Sequence, residues 1–129
     1  MPPDITLRNI EHAPAPVGHY SHTTTAGGLV FISGQLPVTT EGDPRCDASF
    51  EDQARLVLQN IDACLRCVGV TKQHLVSVRV YITDISFWPL FNNIYAEWIG
   101  EHRPSRAVAG VSQLHYGAAI EVEAVALSK

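Results

Sequence analysis

Between residues 76 and 83 apolar and polar side chains alternate strictly, Val76, Val78, Val80 and Ile82 against Ser77, Arg79, Tyr81 and Thr83. A two-residue period places successive side chains on opposite faces of an extended chain, so this stretch is a strand with one apolar face. Such a face must be covered, and the sequence supplies two covers. From Phe50, the residues Phe50, Ala54, Val57, Leu58, Ile61, Cys64, Leu65 and Val68 recur at three- and four-residue steps, the stripe of an amphipathic helix, with Ser49 placed to cap its start and Gly69 its end. A second helix is predicted from about Phe87 to Glu101, carrying Phe87, Phe91, Ile94 and Trp98 on one side, with Asp84 or Ser86 as cap and Pro89 in its first turn.

The remaining elements are extended. Around Ala26-Gly27-Gly28, the stretches Tyr20–Thr25 and Leu29–Ser33 read as a hairpin, because glycine supplies the positive φ that such turns need. Residues 36–49 read as loop, and Arg106–Val111 and Ala119–Leu127 as two last strands. The order is hairpin, helix, strand, helix, strand, strand, an α+β pattern in which two helices cover only one face of a sheet. The other face must meet water or another subunit. In the last strand Ile120, Val122, Ala124 and Ala126 form the face expected under the helices, while Glu121 and Glu123 share the opposite face with Val125 and Leu127. That mixture fits a subunit interface with a polar site in it.

A length of 129 residues with 46% hydrophobic and 17% charged residues predicts one folded domain over residues 1–129, without need of disulfide or metal staples. The formal charge is −4 and the nine Lys and Arg are scattered, which argues against a nucleic-acid partner. The opening MPPDITLRNI lacks a leader pattern, and no stretch reaches the roughly 20 apolar residues of a membrane span, so a cytoplasmic location is expected. Three cysteines, Cys46, Cys64 and Cys67, suit a reducing compartment. The Cys64–Cys67 pair lies late in a helical pattern, away from the N-terminal position that activates a redox thiol, and reads as packing. Neither the cysteines nor the six histidines show metal-ligand spacing, so no metal site is expected.

Three places could carry chemistry. Arg106 starts beside a sheet, where its fork of donors suits bidentate capture of a carboxylate; an ion-paired surface arginine is the alternative. Glu121, between apolar neighbours in a strand, could hold or activate a water, with Glu123 two residues on; an interface salt bridge, for instance to Arg79, is equally compatible. Ser33-Gly34-Gln35 closes the hairpin's second strand, where glycine permits close approach of a ligand. No GxSxG, P-loop or GxGxxG segment occurs.

Taken together, Ala15-Pro-Val-Gly-His-Tyr20, Val30-Phe-Ile-Ser-Gly-Gln-Leu-Pro37, Gln53 to Asn60, Arg103-Pro-Ser-Arg106 and Ile120-Glu-Val-Glu-Ala124 resemble the RidA/YjgF family, the reactive-intermediate (imine and enamine) deaminases also labelled L-PSP endoribonucleases. The resemblance implies a chorismate-mutase-like α+β fold, a mixed sheet with two helices on one face, and a homotrimer with clefts between subunits. It implies that Arg106 holds a substrate carboxylate, that Glu121 positions or activates the hydrolytic water, and that Tyr20, Ser33, Gly34 and Asn92 line the cleft. The implied reaction is cofactor-free hydrolysis of an imine or enamine, such as 2-iminopropanoate from 2-aminoacrylate, to a 2-keto acid and ammonia. Departures fall in the same cleft: Gly18-His19-Tyr20 replaces the usual Gly-Pro-Tyr, His22 stands where Gln is common, and Val108 where Cys is common. They leave open a larger enamine, such as a 2-aminomuconate-like acid. Rival classes are a ribonuclease or translation inhibitor and a non-catalytic chaperone or metabolite-sensing trimer.

Overall fold

The computed structural model describes residues 3–129; the expectation drawn from the opening stretch MPPDITLRNI falls in part on Met1 and Pro2, which lie outside it. Six strands, β1 (Thr6–Arg8), β2 (Thr23–Ala26), β3 (Leu29–Gln35), β4 (Leu75–Ile82), β5 (Ser105–Gly110) and β6 (Ile120–Leu127), accompany two α-helices, α1 (Phe50–Cys67) and α2 (Trp88–Ile99). The strands form one sheet in the order β1-β2-β3-β6-β4-β5. Every neighbouring pair is antiparallel except β4 and β5, which α2 joins as a crossover. The sheet is therefore mixed, and the fold is the α+β one expected. Its last strand, β6, is inserted at the centre.

Central placement explains the pattern of β6. Ile120, Val122, Ala124 and Ala126 are buried and join Val30 and Val80 of the sheet, Leu58 and Ile61 of α1, and Phe91 and Ile94 of α2 in one core. Ser49 caps α1 by accepting the Asp52 amide at 3.1 Å, and Gly69, with φ +77°, follows its end. No described helix is long and apolar enough to cross a membrane.

Four expectations are corrected. The helix cap expected at Asp84 or Ser86 belongs to a short 3₁₀ turn over Ile85–Phe87, where Asp84 accepts the Ser86 amide; α2 begins at Trp88 without a side-chain cap. The hairpin's first strand starts at Thr23, not Tyr20, because Gly18–Tyr20 turns and His22 binds the N-terminal segment: the Ile10 amide donates to His22 Nδ1, and the His22 amide to Asn9 Oδ1, each at 2.9 Å. The alternation in β4 breaks at Val76, which is bulged out and 43% exposed, and Leu75 takes the buried place. Finally, β3 runs on to Gln35 through a bulge. Ile32 pairs with Ala124 and Gln35 with Val122, so Ser33 and Gly34 together oppose Glu123. The edge strand β1 was not expected at all, since three exposed residues carry no period.

Candidate active site

The site residues expected from sequence fall into two groups. The first gathers on α2 and the edge strand β5. Arg106 and Val108 pair in parallel with Val78 and Val80, whose side chains are buried under the helices, so both point to the helix-covered face. Arg106 Nη1 donates to Asn92 Oδ1 at 2.9 Å. Its guanidinium carbon lies 4.9 Å from the ring centre of Tyr95, 5.6 Å from Trp88 and 6.0 Å from Phe91. Three- and four-residue steps along α2 bring those rings and Asn92 to one side. A guanidinium laid on aromatic faces is held in place while its edge keeps donors for an anion. Among the described residues no carboxylate pairs with it. Val108 packs, partly buried, against the core.

The second group gathers where β3 meets β6. Glu121 alternates with buried Ile120 and Val122 and so points to the uncovered face. It is partly buried; that burial, and next the charge of Glu123, pushes its carboxyl above the ordinary glutamate value, while His115 pulls it down. The β3 bulge presses Gly34 against this carboxylate. A Cβ on Gly34 would lie 2.5 Å from Glu121 Oε2 and 3.0 Å from its carboxyl carbon, so glycine is what permits the approach. Ser33 Oγ donates to the Ser21 carbonyl at 2.7 Å, which fastens the bulge to the incoming chain. Tyr20 stands close by, its hydroxyl pushed up by burial and by Glu121, and so remains protonated. Glu123 differs, because it accepts the hydroxyl of Tyr81.

Sequence reasoning missed part of this second group. Beside Gly34 opens a hollow of about 340 Å³, lined by the rings of Tyr20, His22, His115 and Tyr116 among aliphatic side chains and the polar Gln35, Thr39, Thr40 and Asn60. His115 and Tyr116 stack with ring centres 3.9 Å apart, and Tyr116 holds φ at +64°, a left-handed conformation unusual for a side chain of its size. No motif or periodicity links these positions. The only available signal was the His-Tyr-Gly turn itself, just ahead of β6.

Cys64, in the CxxC spacing, is buried, and its thiol is pushed up to about 12 by that burial, a packed residue rather than a redox group.

A family model described as Endoribonuclease L-PSP matches residues 10–128, a span that contains every residue of both groups. The chain belongs to this family, RidA/YjgF. Among relatives, this RidA/YjgF chain is 38% identical over 116 residues to a RutC family protein of Pyrococcus horikoshii, covering 90% of this chain and 92% of that one. TdcF of Escherichia coli, provisionally named a reactive intermediate deaminase, is 32% identical over 120 residues, 91% of this chain and 92% of TdcF. The crystal structure of TdcF with bound serine superposes with a TM-score of 0.86 at 31% identity, covering 95% of this chain and 98% of that one.

Within one RidA/YjgF chain the two groups do not meet. Arg106, Asn92 and Val108 belong to the helix-covered face at the β5 edge, whereas Glu121 belongs to the opposite face, with Gly34, Ser33 and Tyr20 beside it.

Proposed function

We propose that this chain hydrolyses small carboxylate-bearing imines and enamines, of the 2-iminopropanoate kind formed from 2-aminoacrylate, to a 2-oxo acid and ammonia, as a homotrimer with sites between subunits. One observation carries the reading: Arg106 and Glu121 sit in built but separate surroundings on opposite faces of one sheet. Each is half of an anion-and-water site, and a neighbouring copy would supply the other half. The uncovered face offers the contact surface, since Phe31 and Leu127 are 45% and 48% exposed there. TdcF with bound serine supports a ligand bearing a carboxylate.

In this reading Arg106 donates paired hydrogen bonds to the substrate carboxylate, and Asn92 and the aromatic rings of α2 hold its plane. An imine carbon is already electrophilic, so the residues must orient it and deliver water. An enamine first becomes the imine by a proton shift from nitrogen to carbon. Water then adds to the imine carbon as Glu121 takes its proton and returns it to the nitrogen; Glu121 next moves the carbinolamine hydroxyl proton to that nitrogen, the C–N bond breaks, and ammonia leaves with the 2-oxo acid and an ionised Glu121 remaining. A ribonuclease would instead call for a basic groove, and the chain carries a formal charge of −4.

The test uses 2-iminopropanoate generated in situ, with oxo-acid release measured above the spontaneous rate. Arg106→Ala is expected to lose nearly all kcat/KM and Arg106→Lys most of it, since lysine keeps the charge but not the fork. An Arg106→Ala variant that assembles normally and retains wild-type kcat/KM overturns the assignment.

A further inference from the structure

A three-carbon imine placed at Glu121 would leave the hollow beside Gly34 almost empty. Four observations define what it would take. It adjoins the Glu121 group: Gly34 and Tyr20 belong to its wall, Gly34 also lies against that carboxylate and Tyr20 feels its charge, while Glu121 itself stands outside the lining. Its volume of about 340 Å³ falls in the range of small-molecule pockets, roughly 300–1,000 Å³, and a methyl group would leave it nearly empty. Among the described residues no Asp, Glu, Lys or Arg lines it. Its polar groups are largely engaged within the chain: Asn60 Nδ2 donates to the carbonyls of Leu36 and Val38, Gln35 Nε2 to that of Ser33, and His22 Nδ1 accepts the Ile10 amide. What remains is an aliphatic wall, including Ile10, Val17 and Ala63, faced by the stacked His115 and Tyr116.

We infer that this hollow is the side-chain subsite, and that the substrates are 2-imino acids with a bulky, uncharged side chain, from leucine to phenylalanine in size. The inference rests on the hydrolytic reading above and specifies its substrate class. A second carboxylate, as in a 2-aminomuconate-like acid, would enter a space that offers it no Lys or Arg among the described residues and lose its hydration. His22 accepts the Ile10 amide at Nδ1, so that nitrogen carries no proton, and burial lowers its pKa, which disfavours a charge on that ring.

Imino acids made in situ by an L-amino-acid oxidase from alanine, leucine, phenylalanine and glutamate test it. For the wild type, kcat/KM on the leucine and phenylalanine products is expected to exceed that on the alanine and glutamate products by about tenfold or more. Ala63→Phe fills the hollow from α1 and should reverse the leucine-to-alanine ratio; Ala63→Leu, a milder filling, should lower it. Calorimetry of 4-methyl-2-oxopentanoate against pyruvate separates the two readings. If no imine is hydrolysed but the branched oxo acid binds the wild type and not Ala63→Phe, the reaction fails and the subsite stands. Hydrolysis without side-chain preference, a preference for the glutamate product, or a ratio untouched by both variants overturns the subsite.

Discussion

Glu121 and Glu123 share one strand face, and spacing alone cannot rank them; their neighbours do. Glu123 takes the Tyr81 hydroxyl, while Glu121 has Gly34 pressed against it and the hollow alongside. Two outcomes follow at this scale. Gly34→Ala places a methyl 2.5 Å from Glu121 Oε2, and the group that must move is the far end of a flexible side chain. The variant should therefore keep its Tm within a few degrees while kcat falls about tenfold or more, some 1.4 kcal/mol of barrier; an unchanged kcat would mean that the carboxylate's position is irrelevant. The second outcome concerns pH. The Glu121 carboxyl is raised by burial and then by Glu123, and in the proposed role of base it must be ionised, so activity should be present above its folded pKa and lost as pH falls through it. The acid limb of kcat/KM should thus lie above the ordinary glutamate value. Glu123→Gln removes the neighbouring negative charge and should move that limb to lower pH; a limb that stays put assigns the titration to another group.

At the scale of elements, both helices, β6 and most of β4 were legible because each carries an unbroken period set by burial. What was not legible depends on pairing. Val76 fits the β4 alternation in sequence, yet a bulge against β6 turns it outward. The bulge at Ser33 and Gly34 and the three-residue β1 are likewise properties of a ladder, not of a local pattern. The platform under Arg106 was hidden for the same reason: the spacing of Trp88, Phe91, Asn92 and Tyr95 marks a helix face, but only the parallel register of β5 brings Arg106 to it. Asn92 offers the test. Asn92→Ala removes the acceptor 2.9 Å from Nη1 and should raise KM several-fold with a smaller effect on kcat. Asn92→Asp would put a carboxylate on the guanidinium, compete with the substrate, and raise KM by about tenfold or more, since hydrogen bonds between charged groups are worth roughly 1.5–3 kcal/mol. Substrate affinity that is equal in both variants would detach Asn92 from carboxylate binding.

At the scale of the whole molecule, counting covers against strands already indicated an uncovered face, and the structure places Phe31, Val125 and Leu127 on it beside Glu121 and Glu123. The division of the expected site between two faces was not legible, because motifs list residues without saying which way they point. If a site takes Arg106 from one subunit and Glu121 from the next, the two defects can complement each other. The Arg106→Ala and Glu121→Gln proteins, each assembled as the proposed trimer, are expected to be inactive. After being unfolded together and refolded as a mixture, they should regain activity, because a cleft formed by Arg106 of the Glu121→Gln chain and Glu121 of the Arg106→Ala chain is intact. Random assembly of equal amounts makes about a quarter of the clefts intact, so roughly a quarter of wild-type kcat per cleft is the expected yield. Sedimentation of the mixture checks that it forms the proposed trimer. Trimers that mix fully, as followed by differently tagged chains, and recover no activity would place both groups of every site within a single chain's reach, against the geometry of the sheet.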